Sequence, residues 1–197
     1  MIHAVLIFNT SGLPRLTKFY TPLHQSSQTI VQKIFSLIST RPAGLCNFLD
    51  APELEDILGT KGDSDDRRRI VYRNYATLYF VFVVDGAESE LGILDLIQVL
   101  VESLDRAFEN VCELDLVFHF DEVHHILSEI IQGGLVLETN VEEIDANVRL
   151  AARLRKESFA SSNPLAGGIG GSIIGQKSGI PTPLGWLTGK LTGGGMR

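Results

Sequence analysis

The spacing of apolar residues changes several times along the chain, and each change marks an element. Residues 2–8, IHAVLIF, run apolar and stop at Asn9-Thr10-Ser11-Gly12, a cluster of turn formers. Leu16 to Tyr20 then resumes as a second short strand, so the chain opens with a predicted hairpin. After Pro22, Ser26 or Ser27 can cap a helix whose Ile30, Val31, Ile34, Phe35 and Ile38 recur on one face. Arg41-Pro42 ends it, because proline disfavours helix at the residue before it. Residues 42–69 break the pattern: Pro42, Gly44, Pro52, Gly59 and Gly62 punctuate them, and an acidic stretch from Asp63 to Asp66 switches to Arg67, Arg68 and Arg69. They read as a long exposed loop, weakly ordered around Glu53 to Leu58, with no strand in it.

The strongest strand signal follows. Ile70 to Asp85 is rich in β-branched, aromatic and aliphatic residues, and its second half, LYFVFVV, is apolar on both faces. That predicts a central strand covered on both sides, paired through a turn near Asn74 to Thr77 with the first half. Ser89 to Asn110 predicts a long helix, with Ser89 at its N-cap and Ile93, Leu96, Ile97, Leu100, Val101, Leu104 and Phe108 at helical spacing. Leu114 to Phe120 reads as another strand. Asp121 to Gln132 reads as a helix capped by Asp121 and stopped by Gly133-Gly134. Val141 to Lys156 is a last amphipathic helix through Val141, Ile144, Val148, Ala151, Ala152 and Leu154. This order predicts an α+β domain, an antiparallel sheet with helices packed against it.

Charge and glycine divide the chain in two. All 24 acidic residues lie within 1–157 with 14 of the 17 basic ones, so this body carries −10; the last 40 residues carry +3 and 11 of the 19 glycines. A compact acidic domain is therefore expected at 1–157 and a flexible, disordered Gly/Ser-rich tail at 158–197. An acidic body lacks the dense basic face that phosphate binding needs, which excludes nucleic acid as a partner. No apolar run approaches the ~20 residues of a membrane-spanning helix. Residues 1–8 lack the basic flank and cleavage site of a secretory signal. Two cysteines, Cys46 and Cys112, make no disulfide framework and point to a reducing compartment.

Candidate chemistry adds little. His119, His124 and His125 stand close together, but they lack the zinc-protease spacing, and adjacent helical positions diverge by ~100°. A zinc-dependent hydrolase using His119 and His125 is thereby set aside. In the tail, Gln176 separates Gly175 from Lys177-Ser178, so no phosphate-binding loop forms. Cys112 reads as a small buried hydrophobe rather than a nucleophile. No metal, cofactor or catalytic group is expected. The apolar surplus of Leu78–Val84, Leu91–Val111 and Leu114–Val117 says more, since surplus apolar surface on a small domain marks a partner interface or a peptide groove.

Three segments carry a resemblance. MIHAVLIFNTSGLPRLTKFY at 1–20, IVYRNYATLYFVFVVD at 70–85 and FENVCELDLVF at 108–118 resemble, in matching order across about 1–157, the small sigma-type subunits of clathrin-associated adaptor complexes. The run from Ser89 to Leu127, the following GGLVLETN and the long loop between Leu45 and Arg69 look like the third adaptor complex, which sorts cargo from the Golgi or endosomes toward lysosomes or vacuoles. The resemblance implies a longin-like fold, a five-stranded antiparallel sheet with helices on both faces. It implies no enzyme. It implies a subunit clasped by a large delta-type chain in a heterotetramer with beta-type and mu-type chains, held peripherally on Golgi or endosomal vesicle membranes. Its cargo would be membrane-protein tails bearing acidic dileucine signals.

Carried over residue by residue, the dileucine pocket falls on Ala76, Leu78, Val101, Val111, Leu114 and Leu116, with Asn110 beside it, and Arg15 is implied as the subsite for the signal's acidic residue. Leu13 and Pro14 precede Arg15 where the plasma-membrane relative is more basic, which implies a subsite thinner in positive charge or one that leans on the large subunit. The alternative of a different class is a longin-like trafficking regulator that binds a small GTPase or a SNARE.

Overall fold

The computed structural model describes residues 1–23, 25–42, 45–50 and 68–162. The expected order around Glu53 to Leu58 lies outside the described residues; of the tail expected at 158–197, residues 158–162 continue the last helix and the rest lies outside the described residues. The compact unit spans Met1–Arg155.

Strands β1 (Ile2–Asn9), β2 (Pro14–Phe19), β3 (Phe48–Asp50), β4 (Arg69–Tyr75) and β5 (Leu78–Val84) form one antiparallel sheet in the order β2-β1-β5-β4-β3. The two most apolar segments lie inside it. In β1 and β5, alternate side chains enter opposite layers: Val5, Ile7, Phe80, Phe82 and Val84 face one, and Ala4, Leu6, Phe8, Val81 and Val83 the other. A strand apolar at every position is stable only where both faces are covered, and here both are. Helix α1 (Ser27–Ser39) covers the second layer with Ile30, Val31, Ile34 and Ile38. On the first lie α2 (Glu90–Phe108), α3 (Glu113–Phe118), α4 (Phe120–Ile130) and the N-terminal part of α5 (Val141–Ser162). Ser26 caps α1, its Oγ accepting the Thr29 N–H at 3.3 Å, and Ser89 caps α2 through the Gly92 N–H at 3.4 Å.

Several expectations need correction. The loop after Arg41 does contain a strand. Phe48, Leu49 and Asp50 pair with Val71, Ile70 and Arg69, because β4 has an unsatisfied edge that three residues suffice to cover. Leu114 to Phe120 is not a strand. Glu113–Phe118 is a short helix, opened by the Asp115 carboxylate, which accepts the Cys112 N–H at 2.8 Å. Asp121 does not cap α4; it lies in the first turn, and His119 holds the N-cap position. Gly133 and Gly134 do not end that helix. They take φ of 60° and 81° in the turn of a small hairpin, β6 (Ile131–Gln132) with β7 (Leu135–Val136). Cys112 is exposed rather than buried, and Leu154, expected on the buried face of the last helix, is exposed too.

Candidate functional site

One end of the first core layer gathers most of the expected residues. It is built where two strand turns meet two helix ends. Asn9 closes β1 opposite Leu78 of β5, and the Thr10 N–H reaches the Thr77 carbonyl at 3.1 Å, which joins the β1–β2 turn to the β4–β5 turn. The tight β4–β5 turn puts Ala76 in the left-handed region, at φ 51°. Helix α2 ends nearby in another left-handed stretch, Glu109 at φ 51° and Asn110 at φ 81°. Asp105 gathers that ending: its backbone carbonyl takes the cap N–H of Glu109, and its Oδ1 takes the N–H of Val111 at 3.1 Å. The chain then turns directly into α3.

Leu78 and Leu116 are buried in one apolar cluster, and Val101 and Val111 pack half-buried against it. Leu114, two residues from Leu116, points the other way and is 61% exposed. Ala76 and Asn110 stand exposed on their turns. The set thus comprises two buried, two half-buried and three exposed side chains. A separate groove of about 450 Å³ lies between the N-terminal half of α2 and β7, lined by Ile93, Leu96, Val99 and Val136 among others, and shares no residue with the expected set.

Arg15 projects from the edge strand β2, and its charge is already engaged. Its Nη2 and Nε donate to Glu113 Oε1 at 2.7 and 2.8 Å, and Asn9 Nδ2 donates to the same oxygen at 3.1 Å. Hydrogen bonds from Arg15 and Asn9 hold the Glu113 carboxyl below its ordinary value of 4.5. Neither Asn9 nor Glu113 stood out in the sequence. Arg15 and Glu113 are 98 residues apart, and reading Leu114 onward as a strand left Glu113 in a connection with no role.

The expected histidine junction holds no metal site: among the described residues, no three His, Cys, Asp or Glu side chains group to ligate an ion. The tilted contact of Phe108 with His119 (centroids 5.6 Å apart) and the edge-to-face contact of Phe120 with His124 (6.4 Å) account for part of that segment in ordinary packing terms. Among the described residues, no helix is long and apolar enough to cross a membrane.

Comparison with known proteins decides the kinship. A family model described as clathrin adaptor complex small chain matches residues 1–155. The chain belongs to this family. Among relatives of the adaptor small chain, it is 54% identical over 169 residues to the AP-3 complex subunit sigma of Schizosaccharomyces pombe, covering 84% of this chain and 96% of the relative. It is 54% identical over 157 residues to the human AP-3 complex subunit sigma-2, covering 79% and 77%, and 48% identical over 163 residues to the Arabidopsis thaliana AP-3 complex subunit sigma, covering 82% and 93%. A structure described as a homology model of the full-length AP-3 complex in a stretched open conformation contains a chain 45% identical, with a TM-score of 0.60, covering 82% of this chain and 99% of that one. The expected kinship with sigma-type small chains, and with those of the third complex, is borne out. So is the five-stranded α+β fold.

Proposed function

We propose that this adaptor small chain is the small subunit of an AP-3-type heterotetrameric coat adaptor, and that it helps bind acidic dileucine signals in cargo bound from Golgi or endosomes toward lysosomes or vacuoles. Residues 1–157 form the adaptor module. The module stabilises the trunk of a large delta-type chain, beside beta-type and mu-type subunits. It is not an enzyme, and it reaches the vesicle membrane only through the complex. The observation that carries the signal-binding role is accessible Leu114 on the short helix α3, directly after Glu113, which holds the Arg15 guanidinium at 2.7 Å. Two leucines seated there would each contribute about 1.5–3 kcal/mol before ordering costs. That suits a weak contact strengthened by many copies on a coat.

The test is peptide binding by the assembled complex. Leu114→Ser and Val101→Asp should each abolish or strongly weaken capture of an acidic dileucine peptide while the complex still assembles. Unchanged capture by both variants in intact complexes would remove these residues from the site. Co-purification separates the class alternative, since an adaptor subunit recovers a large trunk chain and a medium chain, whereas a longin-like regulator recovers a GTPase or a SNARE.

A further inference from the structure

We propose that Glu113 is a tethered occupant of the acidic-residue subsite and thereby sets how strongly the site demands an acidic signal. The inference rests on reading Arg15 as that subsite. The seat is a built carboxylate site. Arg15 offers a fork of N–H donors, two of which meet Glu113 Oε1 at 2.7 and 2.8 Å. Asn9 adds a third donor at 3.1 Å. The orientation of that amide is fixed independently: Asn9 Oδ1 accepts the N–H groups of Ser11 at 3.0 Å and Leu13 at 2.9 Å, so its NH₂ must face Glu113. Three donors from two residues of the β1–β2 hairpin thus converge on one carboxylate oxygen, and the carboxylate is the protein's own.

The seat is also open to exchange. The Arg15 and Glu113 side chains are 23% and 29% exposed, so an incoming carboxylate can reach the guanidinium from solvent. Two routes are available, and both have the same sign. The signal's carboxylate can displace Glu113, in which case it competes with a tethered rival present at high effective concentration. Or it can take the remaining N–H donors while Glu113 stays, in which case two like charges share one cation. Either way Glu113 opposes an acidic residue and leaves a neutral one nearly unaffected. Glu113 also immediately precedes Leu114 on the same short helix, so the acid preference and the apolar contact are set by neighbouring residues of α3.

The experiment compares two peptides on the assembled complex: one with glutamate upstream of Leu-Leu, and the same peptide with glutamine there. Glu113→Gln keeps an acceptor for Arg15 and Asn9 but removes the charge. It should raise the preference for the acidic over the neutral peptide roughly two- to fivefold, the scale of an exposed ion pair. Glu113→Ala serves as a second variant with the same expectation, should the first fail to assemble. Adding Arg15→Ala to either should erase the gain. A preference that stays the same or falls in the Glu113 variants, while Leu114→Ser still abolishes capture, overturns the tethered-occupant role and leaves the pocket standing. Capture insensitive to Leu114→Ser and Val101→Asp overturns the pocket itself, and this inference with it.

Discussion

Two adjacent glycines, alike in sequence and in backbone, carry very different constraints. Gly133 and Gly134 both sit at positive φ in the β6–β7 turn, where a side chain costs conformational energy. Around Gly133 there is open space, whereas a methyl on Gly134 would run into the carbonyl oxygen of Ile2. The Ile2 N–H also donates to the Gly134 carbonyl at 2.9 Å, so the small hairpin is laid directly on the start of the central strand β1. Gly133→Ala should therefore cost about 1 kcal/mol, the price of a left-handed alanine alone. Gly134→Ala must also shift backbone against β1 and should cost at least about 2 kcal/mol. Paired denaturant melts check the difference, and equal losses would mean that the close approach to Ile2 is not maintained in solution. The dipeptide was visible in the sequence as a stop signal. The difference between its halves depends on a residue 132 positions away and could not be.

At the scale of elements, α3 shows why part of the fold was legible and part was not. The wholly apolar β1 and β5, which bury side chains in both layers, and the single buried faces of α1 and α2 follow their periods closely. Residues 113–118, ELDLVF, mislead because Leu114, Leu116 and Phe118 alternate like a strand. In the helix they divide: Leu116 faces the core, while Leu114 and Phe118, one turn apart, face outward, Phe118 being 74% exposed. Apolar residues on both sides of a short helix imitate a period of two, and the outward ones are those a partner or signal would cover. Strand β3 failed for a different reason. Its three residues sit amid prolines and glycines and owe their order to the edge of β4, including the bond from the Tyr72 N–H to the Asn47 carbonyl at 3.0 Å. The residues of the proposed pocket were named through family resemblance, while the Arg15–Glu113–Asn9 contact was not legible at all, since it is made only by tertiary structure. A stability series separates the roles on α3. Leu116→Ala should lose about 2–5 kcal/mol as a core truncation, whereas Leu114→Ala should stay within about 0.5 kcal/mol of the parent. Comparable losses would show that Leu114 is a core residue and weaken its place in a binding surface.

Among the described residues, several outward apolar side chains are grouped, beside isolated ones such as Leu13, Leu45 and Leu91. Leu114, Val117, Phe118 and Phe120 follow one another through α3 and the start of α4; Leu135, Val136 and Leu137 form the tip and exit of the small hairpin; Leu150 lies on α5. Single exposed leucines are ordinary on a soluble surface, but runs of them with aromatic rings mark surfaces that are covered in the working assembly. The proposed signal site would account for Leu114 alone. The hairpin and α4 groups are then the candidates for subunit contacts that the solubility experiment below tests, in a chain whose relatives are named as subunits of a complex. Part of the surrounding acidic charge is engaged in local ion pairs, as Asp145 pairs with Arg149 at 2.8 Å and Arg106 at 3.7 Å. Expressed alone, the chain should therefore bind a hydrophobic dye strongly and aggregate with rising concentration. Co-expression with the trunk of the proposed large subunit should suppress both, and Phe118→Ser with Phe120→Ser should improve the solubility of the lone chain while weakening assembly. Sedimentation and dye titration on the three preparations decide it: a monodisperse lone chain that leaves the dye dark would mean these residues are not an interface.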